Sequence, residues 1–274
     1  MKSITKTVWF VLFIISILIS TSISGKASSD ILSDTFELSV NKDTLLKYNG
    51  IQSILDLRNH DEVAQVKVIG REAFANNLNI TEVILPLNVH IIGNGAFVSC
   101  HNLTKVCMPD CVEHIGASAF WECYKLKIPE LPKRLKSIDE NAFVKCNSIS
   151  ISEIPKDVTT IGIRAFAYCN NITSIKLPPL LETISRLMFF KCINLENIDI
   201  PQSVKHIGHN AFYGCVKLTE LTFPTDSCEI EGNPFTECLN LTKIFISPNT
   251  TITPYNGLSG VKTVNLKSNI FIKY

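Results

Sequence analysis

Phenylalanine recurs at Phe74, Phe97, Phe120, Phe143, Phe166, Phe189, Phe212 and Phe235, always 23 residues apart. No other feature restricts the fold as much. A fixed period without insertions or deletions puts every copy at the same place on successive turns of a coil. Five positions before each ring stands an isoleucine: Ile69, Ile92, Ile115, Ile138, Ile161, Ile184, Ile207 and Ile230. Three positions after it comes cysteine in seven of the eight copies, at Cys100, Cys123, Cys146, Cys169, Cys192, Cys215 and Cys238, with Asn77 in the first. A Leu/Ile column follows at Ile80, Leu103, Leu126, Ile149, Ile172, Leu195, Leu218 and Leu241. Proline closes seven copies, and Ser247 closes the last. The unit is Ile-Gly-x-x-Ala-Phe-x-x-Cys-x-x-Leu-x-x-Ile-x-Ile-Pro-x-x-Val-x-x, and its eight copies fill residues 67–250.

A unit of this length lies in the leucine-rich range, and Leu-x-x-Ile-x-Ile is a strand signature of such repeats. In Leu103-Thr104-Lys105-Val106-Cys107-Met108, period-two alternation sends Val106 and Met108 inward and Lys105 and Cys107 outward. Proline ends the strand where its missing N–H disturbs the ladder least. The Ala-Phe-x-x-Cys segment predicts one short helical turn with Phe and Cys on the same side. The expected fold is therefore a repeat solenoid of the α/β horseshoe type, with a parallel sheet of short strands and a helical turn per repeat. Like residues stack over like, and a central Phe→Ala is expected to cost about 3–5 kcal/mol.

Residues 25–66 read as an N-terminal cap and residues 251–274 as a degenerate ninth repeat with a C-terminal cap, because an open coil must cover both its ends. Ahead of them, Lys2 and Lys6 precede the apolar run Val8 to Ile19 and the small, polar stretch Ser20 to Gly25. Residues 1–24 thus match a secretory signal peptide, with the mature chain starting near Gly25 or Lys26. An uncleaved anchor is the alternative, although a bilayer core asks for about 20 apolar residues. Export with release is the expectation, with no membrane span once the signal is removed. The formal net charge of +1 supplies no basic excess to attract nucleic acid or an anionic surface.

The repeat resembles the BspA-like leucine-rich repeat, whose Ile-Gly-x-x-Ala-Phe-x-x-Cys-x-x-Leu pattern and Ile-Pro strand end it reproduces. The resemblance implies a curved right-handed coil on exported or cell-surface proteins of host-associated bacteria and protists, several of them adhesive. Asp139, Ser185 and Glu231 depart from the glycine position, and Met188 and Pro234 from the alanine position.

Ten cysteines in an exported chain raise the question of disulfides. The seven in the repeat column share a face with the ladder phenylalanines and read as buried thiols, since stacked side chains run parallel and do not face each other. Cys111 and Cys228 fall in columns read as solvent-facing. Cys107 and Cys111 either close a small loop by a disulfide or stay as surface thiols. Sequons stand at Asn79, Asn102, Asn171, Asn240 and Asn249, the first four in one column. In a eukaryotic source they would carry glycans in register along one edge; otherwise asparagine simply suits the turn.

No Gly-x-Ser-x-Gly elbow, phosphate-cradling glycine loop or His-Glu-x-x-His occurs, and His114 and His206 lie four rungs apart. The sequence therefore assigns no catalytic residue, no metal and no cofactor. The default binding surface of such a coil is its concave face, and Lys105, Glu130, Glu153, Lys176 and Asp199 are its candidate binding residues. In repeats three and four, Pro129 and Ser152 occupy an inward position while Ile128 and Ile151 sit one place early. A bulge that turns both isoleucines inward is one account, and an exposed apolar patch is the other. The expectation is a non-enzymatic, monomeric module that binds an extracellular protein or glycan. A structural or antigenic coat protein is the alternative. A hydrolase with an unrecognised site is a third class, which ester or peptide turnover dependent on one residue would revive.

Overall fold

The structure is a computed structural model that describes residues 35–223, 228–246, 250–252, 263–266 and 271–272; the signal-like segment 1–24 and the sequon at Asn249 lie outside them. The chain winds as a β-solenoid of short parallel strands. One line of strands carries the isoleucine column. From Val68–Ile69 through Ile91–Ile92, His114–Ile115 and Ser137–Ile138 to Thr160–Ile161, each two-residue strand pairs with the next, Ile over Ile. The line resumes from Thr183–Ile184 through His206–Ile207 and Glu229–Ile230 to Thr251–Ile252. A second line, built from Leu-x-x-Ile-x-Ile, stacks Ile54–Asp56, Glu82–Ile84 and Lys105–Cys107, then Ser174–Lys176 on Asn197–Asp199, then Glu220–Thr222, Lys243–Ile246 and Thr263–Leu266.

The expected helical turn is not there. Residues two before and two after each phenylalanine from Phe74 to Phe212 take positive φ, as in Ser118 (55°) and Glu122 (62°) around Phe120, and Glu237 (59°) does so after Phe235; a right-handed helix cannot pass through such residues. The segment instead alternates its hydrogen bonds. The N–H groups of Ala73, Ala75 and Asn77 close local turns on Gly70, Glu72 and Phe74. Those of Glu72, Phe74 and Asn76 donate to Asn94, Ala96 and Val98 of the next coil at 2.8–3.0 Å. The turn is therefore a third coil-to-coil ladder, and it satisfies backbone groups that would otherwise be buried without partners.

Inside these walls the eight phenylalanines stack with centroids 4.8–5.8 Å apart and planes within 11°. Each is at most 2% exposed, so the column is the dry centre of the molecule. It extends into the N-terminal segment, where Tyr48 lies 5.4 Å from Phe74 and Phe36 lies 5.4 Å from Tyr48. The strand Phe36–Leu38 runs antiparallel to Thr44–Tyr48, with a bulge between Glu37 and Leu38. At the far end Phe271–Ile272 runs antiparallel to Thr263–Leu266.

The seven column cysteines are buried, and each Sγ donates to the carbonyl of the phenylalanine one coil earlier. Cys100 reaches Phe74 at 3.0 Å and Cys215 reaches Phe189 at 3.2 Å. Asn77, which takes the cysteine place in the first copy, spans a wider gap to the Gly50 carbonyl. Burial pushes the Cys100, Cys192 and Cys238 thiols up to about 12. Cys228 is buried too, at 3% exposure, against the solvent-facing position expected for it.

Candidate functional site

The outward side of the second strand line carries the five candidate binding residues. Lys105, Glu130, Glu153, Lys176 and Asp199 are all exposed; Lys105, Lys176 and Asp199 stand in strands whose alternation turns them outward, whereas Glu130 and Glu153 follow the shifted isoleucines and lie outside any strand. The structure joins three of the candidates into coil-to-coil rungs. Lys105 Nζ lies 2.6 Å from Glu82 Oε1, and Lys176 Nζ lies 3.0 Å from Glu153 Oε1. Glu82 holds the Lys105 ammonium above its ordinary value. Glu130 faces the charge of Lys133, which Asp110 chiefly holds above the ordinary lysine value. The same arrangement recurs elsewhere, at Glu113–Lys136, Glu122–Lys145 and Glu182–Lys205, each 2.6–2.7 Å. In every one of these pairs the acid belongs to the earlier coil.

The sheet is not continuous across this face. Leu85 N–H donates to the Cys107 carbonyl at 3.1 Å and Leu177 N–H to that of Asp199 at 3.0 Å, but Met108 and Leu131, in the same column, make no such backbone bond. The cause is the shift in repeats three and four. Ile128 and Ile151 are turned into the core at 2% and 1% exposure, and Pro129 offers no N–H. Of the two readings of those isoleucines, the inward one describes the fold. A depression of about 680 Å³ opens where the ladder fails, lined by Lys105, Cys107, Met108, Ile128, Pro129 and Glu130. Cys107 lines it as a free, half-buried thiol; Cys111, likewise free and half-buried, lies outside the lining, and its Sγ donates to the Leu87 and Val89 carbonyls at 3.0 and 3.1 Å.

The sequon column lies on another edge. Asn79, Asn171 and Asn240 are exposed and Asn102 half-buried. The amide nitrogens of Asn102 and Asn240 donate to the carbonyls of Leu78 and Val216 one coil earlier at 2.8 and 2.7 Å, and that of Asn171 reaches Ser148 at 3.5 Å. Asparagine here is a coil-to-coil donor in its own right.

The first strand line breaks at one place, between Thr160–Ile161 and Thr183–Ile184. Elsewhere the residue in the glycine column donates its N–H to the isoleucine carbonyl of the preceding coil, or to Leu45 in the case of Gly70, as Gly116 does to Ile92 at 2.8 Å. Ser185 substitutes its hydroxyl, which donates to Ile161 O at 2.5 Å. A second depression of about 700 Å³ lies over this break. Glycine suits the column because the coils touch there: a Cβ on Gly93 would fall 2.7 Å from the Ile69 carbonyl oxygen. Asp139 and Glu231 nonetheless occupy it, and each faces a histidine of the preceding coil. His114 Nε2 lies 3.2 Å from Asp139 and His206 Nε2 lies 3.5 Å from Glu231. Reasoning from linear motifs misses these contacts, because the partners are a full coil apart in sequence. The signal was the pairing of a glycine-column departure with a histidine one coil earlier.

Among the described residues, no group of three or more His, Cys, Asp and Glu side chains is placed to hold a metal ion, and no helix is long and apolar enough to cross a membrane.

Comparison with known proteins agrees with this architecture. The family model described as BspA type leucine rich repeat region matches residues 67–195 and 182–272, in six copies. A leucine-rich repeat protein of T. pallidum is similar at 28% identity and a TM-score of 0.63, over 68% of this chain and 88% of that one. A leucine-rich repeat protein of Bacteroides ovatus is similar at 30% identity and a TM-score of 0.56, over 81% of this chain and 65% of that one. Comparison with curated proteins returns no match. The strand signature, the phenylalanine and cysteine ladders and the matched family model agree: the chain belongs to the BspA type leucine-rich repeat family.

Proposed function

We propose that the protein is an exported or cell-surface binding module that recognises an extracellular protein or glycan through the outward face of its second strand line, in adhesion or host interaction. The observation that carries this reading is the exposed row Lys105, Glu130, Glu153, Lys176 and Asp199 beside the depression at the failed ladder. The stack holds this row on a fixed scaffold, so a partner meets a preorganised charge pattern and association loses little conformational freedom. Such surfaces bind without chemistry, and no cofactor enters this reading.

Charge reversal of Glu130, Glu153 and Lys176 together tests it. Binding of the secreted chain to immobilised matrix proteins or glycans is expected to fall at least to background, while reversal of Glu182 and Lys205 on the other strand line leaves binding intact. Binding that survives the first triple reversal would sink the reading. It would favour a coat protein, whose exposed sequon column supports glycan display along one edge.

A further inference from the structure

We propose that Ser137, His114 and Asp139 form a nucleophilic relay for acyl transfer from an ester, an activity beyond ligand binding. Ser137 Oγ lies 2.5 Å from His114 Nδ1, and His114 Nε2 lies 3.2 Å from Asp139 Oδ2. A hydroxyl within hydrogen-bond reach of an imidazole, itself oriented by a carboxylate, is the arrangement that activates a serine. The three groups are brought together by stacking: His114 projects from one coil, and Ser137 and Asp139 flank the buried Ile138 in the next. They are half-buried, so the hydroxyl is held in place yet open to a substrate. Asp139 also lines the depression of about 700 Å³ that opens over the sheet break, with Thr160, Thr183 and Leu181. That depression gives the alcohol or acyl portion of a substrate a place to rest.

Two features separate this cluster from an ordinary surface contact. Asp139 sits where the repeat calls for glycine, in a column where a Cβ added at Gly93 or Gly116 would crowd the preceding coil, so its carboxylate is present against the pattern of the repeat. The molecule also contains its own control. His206 occupies the equivalent place four coils on, but its neighbours are Glu229 and Glu231, two carboxylates and no nucleophile.

In the reaction, Ser137 Oγ attacks the ester carbonyl carbon while His114 Nδ1 takes the hydroxyl proton. Asp139 stabilises the imidazolium through Nε2. Collapse of the tetrahedral intermediate breaks the bond to the alkoxy oxygen, which leaves as an alcohol carrying that proton. Water, deprotonated by His114, then releases the acyl group as a carboxylic acid and restores Ser137.

The test uses the full chain with a fluorophosphonate probe and p-nitrophenyl acetate. An adduct on Ser137, located by peptide mass spectrometry, is expected, and ester turnover falls by about a hundredfold in Ser137→Ala and in His114→Asn. Asp139→Gly restores the residue the repeat itself uses, so folding is preserved, and kcat is expected to fall while KM holds, as for a positioning residue. His206→Asn leaves turnover unchanged. The relay is overturned if Ser137 carries no adduct, if the adduct persists undiminished in His114→Asn, or if Ser137→Ala turns over ester as fast as the parent. Matrix binding on the opposite strand line is read separately and decides nothing here.

Discussion

Each column cysteine keeps its proton on a buried thiol that donates to a phenylalanine carbonyl. Burial lifts these thiols well above the ordinary value, to about 12 for Cys100, Cys192 and Cys238. In the unfolded chain they ionise near about 8.5. The folded state therefore holds protons that the unfolded state gives up, so the contribution is complete below the unfolded value and is lost as pH rises toward the folded one. Each thiol takes away about 1.4 kcal/mol per pH unit across that window, and the column acts in concert. Melting temperature is expected to be flat to about pH 8 and then to drop steeply toward pH 11. Cys146→Ser should make that decline shallower, because serine does not ionise there; an unchanged slope would show that the column thiols are not what fails in alkali.

At the level of the turn, the backbone tolerates side chains in a conformation that favours glycine. Gly95 has φ of 61°, and Ser118 in the same column has 55°. Ser118→Gly is expected to raise stability by about 1 kcal/mol in a denaturant titration, since the left-handed penalty of a Cβ exceeds the added freedom of the unfolded chain. The same turn marks the limit of what the sequence revealed. Phe and Cys three apart fit one face of a helix, and nothing in the residue types announces left-handed positions filled by Glu122, Lys145 and Leu187. The strands were legible because alternation and a terminal proline act locally. Tyr48 was not, because it joins the aromatic stack 26 residues before Phe74, outside the 23-residue register. Of the surface clusters, the charged row could be read from its column, whereas Ser137, His114 and Asp139 meet only once coil lies on coil.

Taken whole, the molecule is a stack whose neighbours are tied by repeated small terms. The exposed acid-to-lysine rungs contribute about 0–1 kcal/mol each and weaken in salt, so the buried apolar core, with the aromatic column at its centre, carries most of the cohesion. The rigid stack opens where the sequence breaks its own rule: at Ile128 and Ile151 on one face and at Ser185 on the other. Both depressions lie at these breaks. The two outermost strands run against the direction of the rest, and the first is bulged. A column of parallel strands about 5 Å apart has the spacing of a cross-β filament, and a molecule with bare ends would seed its own polymer. The reversed, kinked strand Phe36–Leu38 offers an incoming copy no matching template. A chain shortened to begin at Asp43 should therefore grow into fibrils, detected by light scattering that rises with concentration, under conditions where the parent stays dispersed.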